Sequence, residues 1–102
     1  IDDIVEGVFR IAVGLPSDST PASRLYNIGR GAPVLLMEFI RALEKELGVS
    51  AEMEMLPMQP GDVPSTWADT APLQRDYGYT PDTDVLTGIR NFARWYREFY
   101  SA

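Results

Sequence analysis

The stretch that decides how this chain is interpreted is MQPGDVPSTWAD, residues 58–69, which lies between two apolar segments. Its prolines and its glycine are turn residues that fix the backbone. Turn formation alone does not require an amide at Gln59, a carboxylate at Asp62 and a hydroxyl at Thr66. Because a carboxylate can accept hydrogen bonds from a ribose diol and an amide can donate one to a phosphate oxygen, the turn is a candidate ligand contact. A plain exposed turn is the alternative.

The composition is that of one soluble globular domain or part of one. The chain has 102 residues, of which 45% are hydrophobic and 24% charged, and it carries a net charge of −6. An acidic chain without a basic run is not expected to bind nucleic acid. No apolar run has the length of a transmembrane helix, so no membrane partner is expected. The absence of cysteine agrees with a reducing compartment, and we expect a cytoplasmic location.

Patterns that would carry catalysis or bind a metal are missing from the sequence. The chain has no histidine and no cysteine, so the commonest general base and the commonest zinc ligands are absent. No tyrosine is followed by a lysine four residues later, and Gly29 and Gly31 lack the third glycine of a dinucleotide-binding turn, where Val34 stands. Asp82 and Asp84 begin like a calcium loop, but its glycine and glutamate are not in place. We therefore predict no catalytic, cofactor-binding or metal-binding residue in this chain.

Apolar residues at helical spacing predict four helices. The first begins at the amino terminus and ends near Gly14, and a polar loop over 17–23 follows. The second begins at Pro33, a favoured first-turn residue, and ends near Leu47 before a glycine. A short third helix is predicted over 71–77.

The fourth helix is predicted to start at a cap formed by Asp82 or Thr83 and to run towards the carboxyl terminus. Its spacing predicts that one face is buried, with its arginines in solvent. The aromatic part of that face is expected to be core or an interface. The predicted buried residues are Val85, Leu86, Ile89, Phe92, Ala93, Tyr96, Phe99 and Tyr100.

Two short strands are predicted between the helices, over 25–28 and over 51–55, where apolar and acidic residues alternate. The predicted fold class is therefore α+β, mostly helical with two or three short strands. Two short strands do not form a stable sheet alone, so they would need partners outside these residues. The first helical pattern is already under way at Ile1, which leads us to expect a fragment of a longer polypeptide.

Two further groups allow a functional and a structural interpretation. Asp2 and Asp3 could be paired acid–base carboxylates, but helix capping and dipole complementation is the favoured interpretation. Gly29-Arg30-Gly31 could bind phosphate ahead of a helix, but a plain strand-to-helix turn is favoured.

Six segments in order carry a family resemblance. They are Ile1-Asp2-Asp3, Tyr26-Asn27-Ile28-Gly29, Leu56 to Val63, Ala68-Asp69, Gly78-Tyr79-Thr80-Pro81, and the ending with Gly88 and Trp95-Tyr96. Together they resemble the C-terminal third of extended short-chain dehydrogenase/reductases, and most of all the NAD-dependent UDP-glucuronate 4-epimerase group. The resemblance covers essentially the whole chain.

The resemblance implies that the two parts of a longer polypeptide have different roles. In that family an N-terminal Rossmann domain holds NAD and the catalytic residues, and the C-terminal part closes over a UDP-sugar. Residues 1–102 would then be a single C-terminal substrate-binding fragment without the Rossmann core. Residues 1–28 would pack on the missing domain, and 33–102 would form the substrate-closing lobe. The parent polypeptide would interconvert UDP-glucuronate and UDP-galacturonate through a 4-keto intermediate, whereas the fragment alone is expected to be inactive.

The same resemblance assigns substrate-binding positions. Asp62 matches the acidic position that binds the ribose hydroxyls of UDP. Gln59 matches a diphosphate contact that is arginine in many relatives, and Leu36 matches an apolar contact to the nucleotide. Thr66 stands where some relatives place a tyrosine near the sugar, and we leave it outside the predicted site.

An alternative function is a stand-alone acidic binding or interaction module that kept the fold and lost catalysis. If it is a fragment of such an epimerase, the isolated chain would expose apolar surface and a strand edge. We therefore expect it to self-associate, with exchange of strands as one route.

Overall fold

A computed structural model describes residues 1–14 and 23–101, which contain four helices. The chain divides into two compact units. Unit 1 comprises Ile1–Pro33 and Thr66–Thr83, and unit 2 comprises Val34–Ser65 and Asp84–Ala102. The loop predicted over 17–23 lies, apart from its last residue, outside the described residues.

The α+β prediction is wrong, because residues 1–14 and 23–101 contain no strand. Both predicted strand segments, 25–28 and 51–55, are present as irregular backbone. Leu25 is 88% exposed and Met55 is 84% exposed, so the alternating pattern does not mark a buried face. A strand persists only when its backbone groups pair with a neighbouring strand, and the described residues supply none. What they form is helical.

Unit 1 contains α1 (Asp2–Val13) and the short α3 (Ala71–Tyr77). Both agree with the predicted helices, and α3 ends at Gly78, whose φ of 63° is the left-handed conformation that glycine adopts without strain. Leu73, on α3, is fully buried. It is the only large side chain that the described residues bury completely.

Polar contacts connect distant parts of unit 1. The Tyr79 hydroxyl donates to the Asp3 carbonyl oxygen at 2.7 Å, and the Thr83 amide and hydroxyl donate to the Asp3 carboxylate at 3.1 and 2.7 Å. On α1, a Cβ at Gly7 would lie only 3.0 Å from Ile28 Cγ2 and 3.2 Å from Tyr79 Cε1. The absence of a side chain at Gly7 is what lets these residues pack against α1.

A second polar cluster in unit 1 surrounds Asp76, whose side chain is only 4% exposed. Its carboxylate accepts hydrogen bonds from Arg75 at 2.8 Å, from Tyr26 at 2.7 Å and from Arg24 at 3.1 Å. The bonds from Arg75 and then from Tyr26 hold the pKa of the Asp76 carboxyl well below its usual range. The Tyr26 ring also meets Tyr77 edge to face, with centroids 5.3 Å apart.

Unit 2 contains α2 (Leu36–Leu47) and α4 (Val85–Tyr100), which pack against each other. The buried side chains in unit 2 are those of Ala42, Ile89 and Ala93. α2 begins three residues later than predicted from Pro33, and its end before Gly48 is as predicted.

The cap of α4 differs from both predicted residues. Asp84 caps the helix, and its carboxylate accepts from the Thr87 amide at 2.9 Å and from the Thr87 hydroxyl at 2.7 Å. The Thr87 amide and then the Thr87 hydroxyl lower the pKa of Asp84. Thr83 is not free to cap, because its amide and hydroxyl are bonded to Asp3.

Much of the face of α4 that was predicted to be buried is exposed. Its aromatic residues stack along the helix, with Trp95 and Phe99 rings 5.4 Å apart and Tyr96 and Tyr100 rings 4.8 Å apart. Tyr100 is nevertheless 59% exposed and Phe99 is 66% exposed. Two helices of this size have too little facing surface to cover such a stripe.

Among residues 1–14 and 23–101, no helix has the length and apolar character needed to cross a bilayer. The predicted packing of 1–28 on a further domain, with 33–102 as a closing lobe, stays a prediction.

Candidate functional site

The candidate site is a tight turn in unit 2. The Asp62 amide donates to the Gln59 carbonyl oxygen at 3.1 Å, which closes a four-residue turn with Pro60 and Gly61 at its centre. Gly61 has a φ of 95°, which together with proline before it is typical of a type II turn. A side chain at this position would be strained, so glycine is required for the turn to form.

The turn holds two polar side chains at a fixed spacing. Gln59 and Asp62 are both exposed, and neither side chain makes a hydrogen bond or ion pair within the described parts of the chain. Apart from Gly61 and its two chain neighbours, no atom lies within 4 Å of the place where a Cβ at Gly61 would be, so the tip of the turn is open. The Gln59 amide and the Asp62 carboxylate are therefore available to a ligand that approaches the turn.

The third predicted residue, Leu36, is the first residue of α2 and is 71% exposed. It belongs to unit 2, as do Gln59 and Asp62. The structure thus joins Gln59 and Asp62 through the turn hydrogen bond and places Leu36 in the same compact unit. Thr66, which we left outside the predicted site, belongs to unit 1.

The glycine-rich segment 29–31 has a packing role. A Cβ at Gly29 would lie 3.0 Å from Ala68 Cβ, and one at Gly31 would lie 3.1 Å from Thr70 Oγ1. The next helix begins only at residue 36, so this segment does not lead directly into a helix amino terminus. These contacts give the two glycines a reason other than phosphate binding, but the predicted strand-to-helix turn is wrong, because no strand precedes the segment and no helix directly follows it.

The position of Gly29 also accounts for two of the short segments that carry the family resemblance. Gly29 ends one motif and Ala68 begins another, and the structure brings the two residues together. Sequence spacing gave no indication of this contact, because 38 residues separate the motifs. The motifs therefore mark a packing junction within unit 1.

Of Asp2 and Asp3, which were considered as paired acid–base carboxylates, Asp3 is occupied by a structural contact, and so is the nearby motif residue Asp69. Asp3 binds Thr83, and Asp69 accepts a hydrogen bond from the Ala71 amide at 3.1 Å, next to the start of α3. Asp2 and Asp3 lie in the first turn of α1, where their charge complements the helix dipole, and the residue at the cap position is Ile1. Within residues 1–14 and 23–101, no group of histidine, cysteine and acidic residues could hold a metal ion.

The most strongly perturbed carboxylate, Asp76, was missed by sequence reasoning. Its partners Arg24 and Tyr26 precede it by 52 and 50 residues, and no motif links them. Asp76 is enclosed by the residues that donate hydrogen bonds to it, so its role is structural: it connects separate parts of unit 1.

No protein-family profile matches the chain. Individual proteins do match. The chain is 45% identical over 98% of its length to "Uncharacterized 37.6 kDa protein in cld 5'region" of Escherichia coli O111:H-, and 39% identical over 98% to protein CapI of Staphylococcus aureus. It is 40% identical over 99% of its length to UDP-glucuronate 4-epimerase 4 of Arabidopsis thaliana.

These matches cover only part of each relative. The chain spans 34% of the two bacterial proteins and 25% of the plant enzyme, in each case within their C-terminal part. The matches extend over nearly the whole of this chain, 98–99% of its length.

Proposed function

Because the chain belongs to the nucleotide-sugar epimerase family and corresponds to the C-terminal part of its longer members, we propose that it is the UDP-sugar-binding part of such an enzyme. The proposed substrates are UDP-glucuronate and UDP-galacturonate, which differ in configuration at C4 of the sugar. Inverting that carbon requires oxidation to a 4-ketone and reduction from the opposite face. NAD, bound outside this chain, would accept and return the hydride.

The glycine-rich segment 29–31 does not suit NAD binding. Gly29 and Gly31 come nearest to a dinucleotide turn, but both are packed against residues of the segment 68–70. Their missing side chains leave room for protein atoms and not for a diphosphate. We therefore assign to this chain the binding of the UDP-sugar and none of the hydride chemistry.

The main structural support for the proposal is the turn from Gln59 to Asp62. Two adjacent hydroxyls of a ribose can each donate to one oxygen of the Asp62 carboxylate. The Gln59 amide can donate to a diphosphate oxygen, and the exposed Leu36 side chain offers an apolar contact to the nucleotide. Glutamine at 59 brings no charge, so cations from outside this chain would neutralise the diphosphate.

The proposal extends to partners. The exposed apolar residues of α1, such as Val8 and Phe9 at 54% and 59%, suit packing against the N-terminal Rossmann domain of the full-length polypeptide. Without that domain we expect the chain to self-associate through apolar helix faces and to lack epimerase activity. The competing function, an acidic binding module without catalysis, would also leave α4 available for docking.

The test compares Asp62→Asn with Glu52→Gln in the full-length polypeptide. Both remove one acidic charge from exposed residues of unit 2, but only Asp62 lies in the turn. Losing one charged hydrogen-bonding group should raise KM for UDP-glucuronate about tenfold or more with little change in kcat, because the ribose contact is made equally in the ground and transition states.

Glu52→Gln should leave KM and kcat within about twofold of the parent values, as expected for an exposed surface substitution. Equal KM values for Asp62→Asn and Glu52→Gln would contradict the proposed ribose contact. A full-length polypeptide that binds UDP-sugars without converting them would favour the binding module.

A further inference from the structure

Unit 2 also has a charged depression, and none of the residues that line it belongs to the turn at 59–62. It has a volume of about 370 Å³ and is open to solvent. The lining residues come from α4 and the last turn of α2 and are Glu46, Arg90, Ala93, Arg94, Arg97 and Glu98. Three of the nine basic residues of this acidic chain are therefore collected at one concave place.

The helical spacing explains why the arginines meet. Arg90, Arg94 and Arg97 are four and three residues apart, which places them along one edge of α4. That edge faces the end of α2, where Glu46 holds two of them. Arg97 Nη2 donates to the Glu46 carbonyl oxygen at 2.8 Å, and Arg90 Nε lies 3.5 Å from Glu46 Oε1.

The charges in the depression do not cancel. The Glu46 carboxylate is paired with Arg90. Arg97 is bonded to a carbonyl group, which fixes its position and leaves its positive charge uncompensated. Arg94 makes no hydrogen bond or ion pair within the described ranges, and neither does Glu98. Arg94 and Arg97 thus contribute two positive charges against the one negative charge of Glu98.

This arrangement suits an anion with several oxygen atoms. A guanidinium presents its N–H groups as a planar fork that matches the oxygens of a phosphate, and Arg97 is already held in place before a ligand arrives. A concave site brings the two forks to the same ligand, which a flat basic surface does not. We propose that this depression binds a small, freely diffusing diphosphate, through Arg94 and Arg97 of α4.

The test titrates the 102-residue chain with inorganic pyrophosphate at low ionic strength. Isothermal calorimetry gives the affinity, and the Nε–H signals of ¹⁵N-labelled arginines show which side chains respond. Removing one charge-assisted contact by Arg94→Gln should weaken binding about tenfold. The matched control is Arg41→Gln, which removes an exposed arginine of unit 2 that does not line the depression.

A second variant predicts an effect of opposite sign. Glu98→Gln removes the negative charge that opposes the ligand, so pyrophosphate should bind more tightly than to the parent chain. Equal weakening by Arg94→Gln and Arg41→Gln would show that only the overall charge matters and would overturn the proposal. An unchanged affinity in Glu98→Gln would also count against it. Circular dichroism of each variant establishes that it is folded.

Two further arms separate this site from other binding modes. Pyrophosphate bound at the turn would be lost in Gln59→Ala and kept in Arg94→Gln, which would overturn the α4 site without touching the proposed epimerase function. The chain should not co-sediment with phosphatidic acid vesicles. Co-sedimentation that depends on Arg94 would identify a lipid headgroup as the ligand and refute the proposal of a freely diffusing diphosphate.

Discussion

Replacing Gly7 with alanine should destabilise unit 1, whereas the same replacement at Gly88 should stabilise unit 2. Both glycines lie inside helices, α1 and α4, where alanine is intrinsically preferred by about 1 kcal/mol. Their surroundings differ. A Cβ at Gly7 would meet Ile28 at 3.0 Å and the Tyr79 ring at 3.2 Å, while one at Gly88 would meet nothing within 4 Å.

The magnitude follows from the two opposing effects at Gly7. Inserting a methyl group into a close contact costs about 1–3 kcal/mol, which exceeds the gain in helix propensity. Tyr79 cannot easily withdraw, because its hydroxyl is bonded to the Asp3 carbonyl oxygen and Arg10 lies 4.8 Å from its ring centroid. We expect a net loss of about 1 kcal/mol for Gly7→Ala and a gain of about 1 kcal/mol for Gly88→Ala.

Urea unfolding can follow the two units separately, because Trp67 belongs to unit 1 and Trp95 to unit 2. Two parent backgrounds, Trp67→Phe and Trp95→Phe, each leave one fluorescent reporter. With an m-value of about 1–2 kcal/mol/M, the expected changes move the midpoints by about 0.5–1 M in opposite directions.

Two results would refute this reasoning. An unchanged or higher midpoint for Gly7→Ala in the background that retains Trp67 would mean that Ile28 and Tyr79 yield without cost. A lower midpoint for Gly88→Ala would mean that the outer side of α4 is covered in solution, for example by a second copy of the chain.

Two other outcomes follow from the structure. Leu73→Ala should lower the free energy of unfolding of unit 1 by about 2–5 kcal/mol, because Leu73 is fully buried, and a smaller loss in urea unfolding would mean that neighbouring atoms fill the space. Because the pKa of Asp76 is lowered in the folded state, its contribution to stability is complete above its unfolded pKa of about 4 and is lost as the pH falls below that value. Unfolding midpoints measured between pH 2 and 6 should therefore fall more steeply for the parent chain than for Asp76→Asn, and parallel curves would refute this role.

Local signals predicted the helices well where the sequence offers a single end signal. Glycine at 78 defines the end of α3, and glycine at 48 defines the end of α2. The predicted cap of α4 was wrong because Asp82, Thr83 and Asp84 are all good capping residues. The choice among them depends on Asp3, eighty residues before Thr83, which binds that residue and leaves Asp84 to cap.

The predicted strands show a different limit. Alternation of apolar and polar residues over 51–55 describes what the segment could do beside a partner strand, and periodicity carries no information on whether a partner exists. The turn at the candidate site was predictable, because Pro60 and Gly61 dictate it locally. The arginine depression was not, since it depends on how the end of α2 meets α4.

Both compact units are assembled from two separated stretches of sequence, and this determines when each can fold. On a ribosome, the chain through Ser65 would hold one stretch of each unit and would lack Leu73, Ile89 and Ala93, which are three of the four buried hydrophobic side chains among the described residues. Neither core could form at that stage, because the contacts that close it join residues far apart in sequence. Unit 1 could therefore close only after Thr83 has emerged and unit 2 only after the last helix has emerged, and neither unit can be obtained by cutting the chain at one place.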